Sequence, residues 1–358
     1  MDKKIILKGM NELELQEYCK NLEVPLFHGS QLFRWMYKNN CQNIDNMNNI
    51  PKKLREEISK NALIKLLDIK IQSKSEIDKT TKFLLQTNDN KYIETVSMLE
   101  NNRHTICLSS QIGCNVDCDF CATGKMGIVR NLSSGEIIEQ LIIIKNNIEN
   151  PITNIVFMGM GEPFLNYKNV IKSCEILCDH NGFNLSSKRI TISTSGILPK
   201  IDLYIKEKHK YKIAISLNAS NDSFRDKIMP INKKWNIKSL VDSIKKYHYF
   251  ESRPIMFEYV LLKGLNDSKK DAIKLANILK GIRCKVNLIP FNEIEGNFKG
   301  ADWVFHLAAL ADIVPSIESP KEYYESNVNG TFNVLEACRK HHVKKIVYSA
   351  SSSCYGIP

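Results

Sequence analysis

The chain has 358 residues, 43% hydrophobic and 25% charged, the proportions of a globular protein and not of a disordered or collagen-like one. No apolar run approaches the roughly 20 residues a membrane helix needs, and the apolar stretch in MDKKIILKGM is too short for a signal peptide, so a cytoplasmic protein with no membrane partner is expected. The formal net charge of +11 falls entirely on residues 1–298, because residues 299–358 hold six basic and six acidic side chains. A basic body suits a polyanionic partner such as nucleic acid, although a lysine-rich genome would give the same charge.

In chain order, residues 11–67 are expected to be helical, with Pro25 and Pro51 as breaks. Leu15, Tyr18, Cys19 and Leu22 share one helical face, and Ser30 is placed to cap QLFRWMYKN. Residues 68–112 alternate and carry β-branched side chains, which predicts strands. From about 105 to 292 short apolar strands (ITNIVFMGM, RITISTSG, IAISLNAS, IMFEYVLL, KVNLIPFN) alternate with helical stretches such as YKNVIKSCEILCDH and KKDAIKLANILK. That rhythm predicts α/β architecture with a parallel sheet, open or barrel-like. The composition then changes: the last 60 residues hold six alanines, as many as the first 298.

Eleven cysteines is an odd number, and reduced thiols in a cytosolic chain point to metal or catalytic use more than to disulfides. Cys114, Cys118 and Cys121 lie within eight residues. Thiolates at that spacing suit an iron–sulfur cluster, zinc or copper(I). A structural zinc site would want a fourth ligand in a second Cys or His pair; His104 is near, but no such pair follows. Three cysteines on a four-iron cluster leave one iron open for chemistry. Downstream, Gly161 and Glu162 end the run MGMGEP, where glycine would let backbone approach a ligand and a carboxylate could hold an ammonium group. Ser193 and Ser216 fall at strand ends, where barrel active sites gather, although such serines are more often turn or cap residues.

C-x3-C-x2-C with an aromatic before the last cysteine resembles the radical S-adenosylmethionine signature. Residues 5–298 more closely resemble the RlmN family of radical S-adenosylmethionine methyltransferases, through FHGSQLFRWMYK, IETVSM, TICLSSQIGCNVDCDFCATGKMGIVRNLSSGEI, NIVFMGMGEPFLNYKNV, RITISTSGILP, IAISLNASNDSFRDKIMPINKKWNI, FEYVLLKGLND and CKVNLIPFN. The resemblance implies methylation of carbon 2 of an adenosine in 23S ribosomal RNA and in transfer RNA, by a monomer supplied with electrons by a donor such as flavodoxin. The related Cfr proteins, which methylate carbon 8, share most of these blocks. The resemblance assigns Cys114, Cys118 and Cys121 to a 4Fe–4S cluster. It assigns Gly161, Glu162, Ser193, Ser216, Leu217, Asn218 and Asn292 to S-adenosylmethionine, Glu94 to proton acceptance, and Cys107 to product release. Without it, Glu94 reads as a solvated strand carboxylate and Cys107 as a small buried hydrophobe. The family usually has His where this chain has Asn218, which cannot titrate near neutrality. Arg34, Trp35 and Lys38 are candidate RNA contacts, with a solvated face and a core tryptophan as the plainer reading.

The family also carries its methyl group on a cysteine in a C-terminal segment. Residues 301–358 instead resemble an interior piece of an extended short-chain dehydrogenase or NAD-dependent nucleotide-sugar epimerase: ADWVFHLAA, NVNGTFNVLEACRKHHV and KKIVYSASSSCYG, with Ser351 at the catalytic serine. That piece lacks the glycine-rich fingerprint, so no independent NAD site is expected. Cys338 reads as a buried helix residue and Cys354 as part of a dehydrogenase strand, so neither is expected to replace the carrier, and methyl transfer by the chain as written is expected to be impaired. The alternatives are an epimerase or dehydratase fragment and a non-catalytic iron–sulfur RNA-binding protein. The expected architecture is a partial (β/α)6 radical-SAM barrel at 105–298, preceded by a helical accessory domain (1–67) and a strand-rich connection (68–104), and followed by a Rossmann-like α/β fragment (299–358).

Overall fold

The computed structural model describes residues 4–75, 78–250, 254–291, 303–306, 328, 330–340 and 344–348. The chain forms two compact units, Met1–Phe291 and Asn292–Pro358. No helix among the described residues is long and apolar enough to cross a membrane.

The first unit opens with helices α1 (Glu12–Asn21), α2 (Phe27–Tyr37) and α3 (Lys52–Asn61). A two-residue parallel pair joins β1 (Ile5–Ile6), which precedes the stretch expected to be helical, to β2 (Ala62–Leu63), which interrupts it. Asn11 starts α1 through a capping box: it accepts from the Glu14 amide at 2.9 Å while Glu14 accepts from the Asn11 amide at 2.8 Å. The cap expected at Ser30 is not one. The Pro25 carbonyl already accepts from His28 at 3.1 Å, so α2 begins at Phe27 and Ser30 lies inside it, accepting from the Gln16 side chain at 3.0 Å. A Cβ on Gly29 would stand 2.5 Å from the Gln16 amide, so glycine permits this close packing of α1 on α2.

The core is one nine-stranded sheet, ordered β13-β12-β11-β10-β9-β6-β5-β4-β3. Strands β3 (Leu67–Lys74), β4 (Thr81–Thr87) and β5 (Tyr92–Glu100) are antiparallel and continue directly into β6 (Arg103–Cys107). From β6 onward the strands run parallel: β9 (Asn154–Phe157), β10 (Ile190–Thr194), β11 (Lys212–Ser216), β12 (Ile255–Leu261) and β13 (Cys284–Pro290). Six parallel strands in an unclosed sheet give the expected partial barrel. The helices between them are α5 (Ser134–Asn147), α6 (Tyr167–Cys178), α7 (Leu198–Lys206), α8 (Asp222–Ile228), α9 (Ile237–Phe250) and α10 (Lys269–Ile278). Ser133 caps α5 in a second capping box with Glu136. Along each strand, alternate residues face these helices: Ile106, Ile155, Phe157, Ile190, Ile192, Ile213, Ile215 and Phe257 join one apolar cluster with Ile138, Leu141, Val170, Ile201 and Leu240. Glu139 of α5 reaches the segments that connect the accessory helices to each other and to the sheet, accepting from the Leu66 amide at 2.6 Å and from Gln42 at 3.1 Å.

In the second unit, β14 (Trp303–His306) pairs in parallel with β15 (Lys345–Tyr348), and α11 (Gly330–Lys340) lies between them in sequence. Such a β-α-β piece suits the Rossmann-like reading. Cys338 of α11 is buried, as its helical position predicts. Ser351 and Cys354 lie outside the described residues.

Candidate active site

The three cysteines sit on an excursion between two short strands, β7 (Gln111–Gly113) and β8 (Ile128–Asn131), which pair antiparallel at its base. The periodicity reading missed this hairpin because its strands are three and four residues long. The Cys114 amide donates to the Gly127 carbonyl at 2.9 Å, and Cys121 donates to the Cys118 carbonyl at 3.1 Å. Gly113 is obligatory here: its φ is +75° and a Cβ would fall 1.8 Å from the Gly127 oxygen. The turn helix α4 (Ala122–Lys125) follows Cys121 directly.

Burial pushes the Cys114 thiol up to about 11 and the Cys118 thiol up to about 12, and the charges of Cys121 and Glu162 add to both shifts. The Arg225 guanidinium opposes the shift at Cys118. Three soft ligands within one another's field, with a buried cation beside them, suit a group that stabilises several thiolates at once. No three His, Cys, Asp or Glu side chains among the described residues are placed to hold a single metal ion. A four-iron cluster takes each thiolate on a different iron. His104 takes no part. It is buried on the helix side of the sheet, where Nε2 meets Ser97 Oγ at 2.7 Å and Nδ1 meets the Asn150 carbonyl at 3.0 Å.

Beside the cysteine loop runs the segment Met158–Pro163. Its amides and carbonyls are stitched to residues 108–111: Gly159 donates to the Leu108 carbonyl at 3.2 Å, Gln111 to the Met160 carbonyl at 3.1 Å, and Glu162 to the Gln111 side chain at 2.8 Å. Gly161 has φ +96°, and a Cβ on it would lie 2.4 Å from that of Gln111. The glycines permit the close approach of these two protein segments. Glu162 is buried, and burial raises its pKa. Its two oxygens accept from the Phe164 amide at 2.9 Å and the Ser195 amide at 2.7 Å, tying the end of β9 to the end of β10.

Strand register collects the remaining residues. Val96 pairs with Cys107, Cys107 with Val156 and Val156 with Thr191, while Ser193 pairs with Ala214 and Ser216 with Glu258. Glu94, Cys107, Ser193 and Ser216 consequently share the sheet face that points away from the helices. Glu94 is half-exposed and paired with Lys82 at 3.0 Å. Burial pushes the Cys107 thiol up to about 12, so it stays protonated and weakly nucleophilic at neutral pH. Leu217 is buried in the helix-side cluster, and its amide donates to the Glu258 carbonyl at 3.0 Å while its own carbonyl accepts from Arg225. Asn218 adopts φ +56°, a conformation that asparagine tolerates better than most residues. Its Oδ1 accepts from the Val260 amide at 2.9 Å and its Nδ2 meets Met229 Sδ at 3.3 Å. The side chain thus bridges β12 and the Met229 sulfur at the position where the family usually has His. Asn292 lies outside the described residues.

Two residues that the sequence did not single out complete the site. Glu258 of β12 accepts from both Ser193 and Ser216. Arg225 of α8 is fully buried and donates to the carbonyls of Leu217, Ser195 and Ser216 at 2.9, 2.8 and 3.1 Å and to Asn232 Oδ1 at 2.9 Å. It thus clamps the ends of β10 and β11. Among the described residues it forms no ion pair, and burial lowers its pKa to about 10. Arg34 and Trp35 of α2 hydrogen-bond to Asn181 and Asn49.

Three family models match the chain: the Radical SAM superfamily over 108–276, the ribosomal RNA large subunit methyltransferase N-terminal domain over 5–64, and the NAD dependent epimerase/dehydratase family over 259–358. The last overlaps the radical SAM match, although β12, α10 and β13 pair and pack within the first unit. The probable dual-specificity RNA methyltransferase RlmN of Clostridioides difficile (strain 630) is 40% identical over 293 residues, covering 82% of this chain and 85% of the relative. The dual-specificity RNA methyltransferase RlmN of Buchnera aphidicola subsp. Schizaphis graminum is 43% identical over 311 residues, covering 85% and 84%. The crystal structure of a radical SAM methyltransferase from Sphaerobacter thermophilus is similar at a TM-score of 0.78, with 34% identity and 97% and 96% coverage.

Proposed function

The chain belongs to the RlmN family of radical S-adenosylmethionine methyltransferases, and from that membership we propose that it methylates carbon 2 of an adenosine in 23S ribosomal RNA and in transfer RNA. The observation that carries the reading is the coincidence of the cysteine loop, Glu162 and Arg225 at the strand ends with Glu94, Cys107, Ser193 and Ser216 on one sheet face.

Cys114, Cys118 and Cys121 hold the 4Fe–4S cluster, and Gly161, Glu162, Ser193, Ser216, Leu217, Asn218 and Asn292 hold S-adenosylmethionine. When bound, these two groups supply reductive cleavage and the radical that activates a methyl group. The protein orients and shields. Arg225 and Glu162 fix the strand ends that carry the cofactor residues. Glu94, on the exposed part of the same face, accepts the proton that must leave carbon 2 when the methylated base regains its aromaticity. Cys107 assists release of the product. An outside one-electron donor such as flavodoxin would supply the electron, and the protein works as a cytoplasmic monomer.

Residues 299–358 contain no G-x-G-x-x-G and so offer no cradle for a dinucleotide. They also match the epimerase family where the methyltransferase reading requires a carrier cysteine, and we expect methyl transfer by this chain to be impaired on that ground. The test is anaerobic reconstitution, incubation with reductant, S-adenosylmethionine and unmodified RNA, and mass spectrometry of the nucleosides. Adenosine methylated at carbon 2 supports the reading and overturns the expected impairment, and methylation at carbon 8 would place the chain with Cfr. Deoxyadenosine without any methylated base means an intact cofactor site lacking its carrier. Absence of both rejects the proposal.

A further inference from the structure

Two serines on neighbouring strands converge on one carboxylate oxygen. Ser193 Oγ donates to Glu258 Oε2 at 2.7 Å and Ser216 Oγ donates to the same atom at 3.0 Å, while the two hydroxyl oxygens stand 3.4 Å apart. Glu258 is 8% exposed. Among the described residues it forms no ion pair, and its Oε1 has no hydrogen-bond partner. The frame around it is stiff: its own carbonyl accepts from the Leu217 and Asn218 amides at 3.0 and 3.2 Å, and the Asn218 side chain holds the Val260 amide.

This arrangement has a chemical consequence. Both serine protons are given to Oε2, so toward the site the cluster presents lone pairs: Oε1 and the two hydroxyl oxygens. A patch made only of acceptors recognises a group that can donate, such as a hydroxyl or an amino group. Both serines bond Oε2, which leaves Oε1 as the carboxylate oxygen able to take such a group. Position narrows the choice. The field of Glu162 reaches Cys114 and Cys118, at the cluster end of the site, whereas that of Glu258 reaches Cys107. If the methionine end of the cofactor belongs to the cluster, the donors left for Glu258 are the adenine amino group and the two hydroxyls of the ribose, and of these the vicinal diol is the one that carboxylates take in other nucleotide sites.

We propose that Glu258 is a cofactor-binding residue that takes a ribose hydroxyl on Oε1, and that Ser193 and Ser216 act partly through it by fixing the carboxylate. The assignment rests on the cofactor reading above. Failure of that reading appears as no binding of S-adenosylmethionine by the unaltered, reconstituted chain; failure of this one appears only once such binding is seen.

The experiment is equilibrium binding under anaerobic conditions of S-adenosylmethionine, S-adenosylhomocysteine and the 2′-deoxy and 3′-deoxy forms of S-adenosylmethionine. The probes are applied to the unaltered chain and to Glu258→Gln. In the unaltered chain, removal of one ribose hydroxyl is expected to weaken binding about tenfold or more, the usual effect of losing a hydrogen bond to a charged group. Glu258→Gln is expected to bind S-adenosylmethionine and the uncharged S-adenosylhomocysteine more weakly by similar factors, and to lose its discrimination between the ribose and deoxyribose forms. Affinity unchanged in Glu258→Gln overturns the proposal. So does a loss confined to the sulfonium ligand, which would make Glu258 a counter-charge, or a loss that leaves the deoxy penalty intact, which would make it a scaffold for the serines. If Glu258→Gln does not fold, the unaltered chain still decides: equal affinity for all three ribose forms rejects the assignment.

Discussion

On β12, Phe257 and Glu258 are neighbours in sequence and opposites in role. Phe257 is fully buried among the helices, and Glu258 turns the other way to gather Ser193 and Ser216. The same division runs along β10, where Ile190 and Ile192 face the helices while Ser193 faces the site. The helix face depends on volume, so one apolar residue there resembles the next. The site face depends on which oxygen meets which proton, so each residue matters singly. Stability and function are thereby loaded onto alternate residues of the same strands.

Substitutions can break that division. The largest expected effect is at the cysteine loop: Cys118→Ala should abolish retention of a reconstituted cluster while leaving the apoprotein folded, read as bound iron against circular dichroism. Loss of the fold would mean that this loop belongs to the stabilising half. Next, Phe257→Ala should cost about 3–5 kcal/mol in urea unfolding of the apoprotein, whereas Ser216→Ala should cost about 1 kcal/mol and show chiefly in cofactor affinity. Equal losses of stability from the two would refute the division between faces. Gly161→Ala tests the seam between the halves. Its positive φ and the close approach to Gln111 predict a loss of about 1–3 kcal/mol together with weaker cofactor binding, and an unchanged melting temperature would show that the 108–111 segment yields easily.

The smallest effect concerns pH, away from both faces. Arg130 bonds Asp89 at 2.7 Å and holds its carboxyl well below the usual carboxylate range. A carboxylate depressed on folding stabilises above its unfolded pKa of about 4, and that contribution disappears as pH falls toward the folded value. Asp89→Asn should therefore lower stability slightly at neutral pH and flatten the acid limb of the stability curve. Because Asp89 is half-exposed, solvent screening keeps the effect small. An acid limb identical to that of the unaltered chain would show that the pair contributes nothing.

Much of the fold was readable because apolar alternation reports the helix face directly. RITISTSG and IAISLNAS declare themselves through Ile190, Ile192, Ile213 and Ile215, all of them core residues. The site was readable only where residues cluster in sequence, as Cys114, Cys118 and Cys121 do, or through resemblance to a family. Glu258 left no signal: one acid inside IMFEYVLL looks like an ordinary solvent-facing position, and only the register that pairs it with Ser216 reveals its partners. Arg225 was hidden differently. Inside NDSFRDKI it reads as a surface charge, and its burial arises because carbonyls from two separate strand ends need a donor. The cap expected at Ser30 failed because the turn at Pro25 starts the helix earlier than the side-chain signal suggests.

The cysteine hairpin is closed at its base by protein alone, through β7 with β8 and through the Cys114 amide on Gly127. In domains that fold around a metal, losing the metal means losing the structure. Here the chain ends that bracket the thiols are already joined, so most of the entropy of closing the loop is lost during folding and not at assembly of the iron and sulfide. A receptacle formed in advance can be emptied and refilled. For a group as vulnerable to oxygen as an iron–sulfur cluster, that makes damage a matter of repair and not of replacing the whole polypeptide.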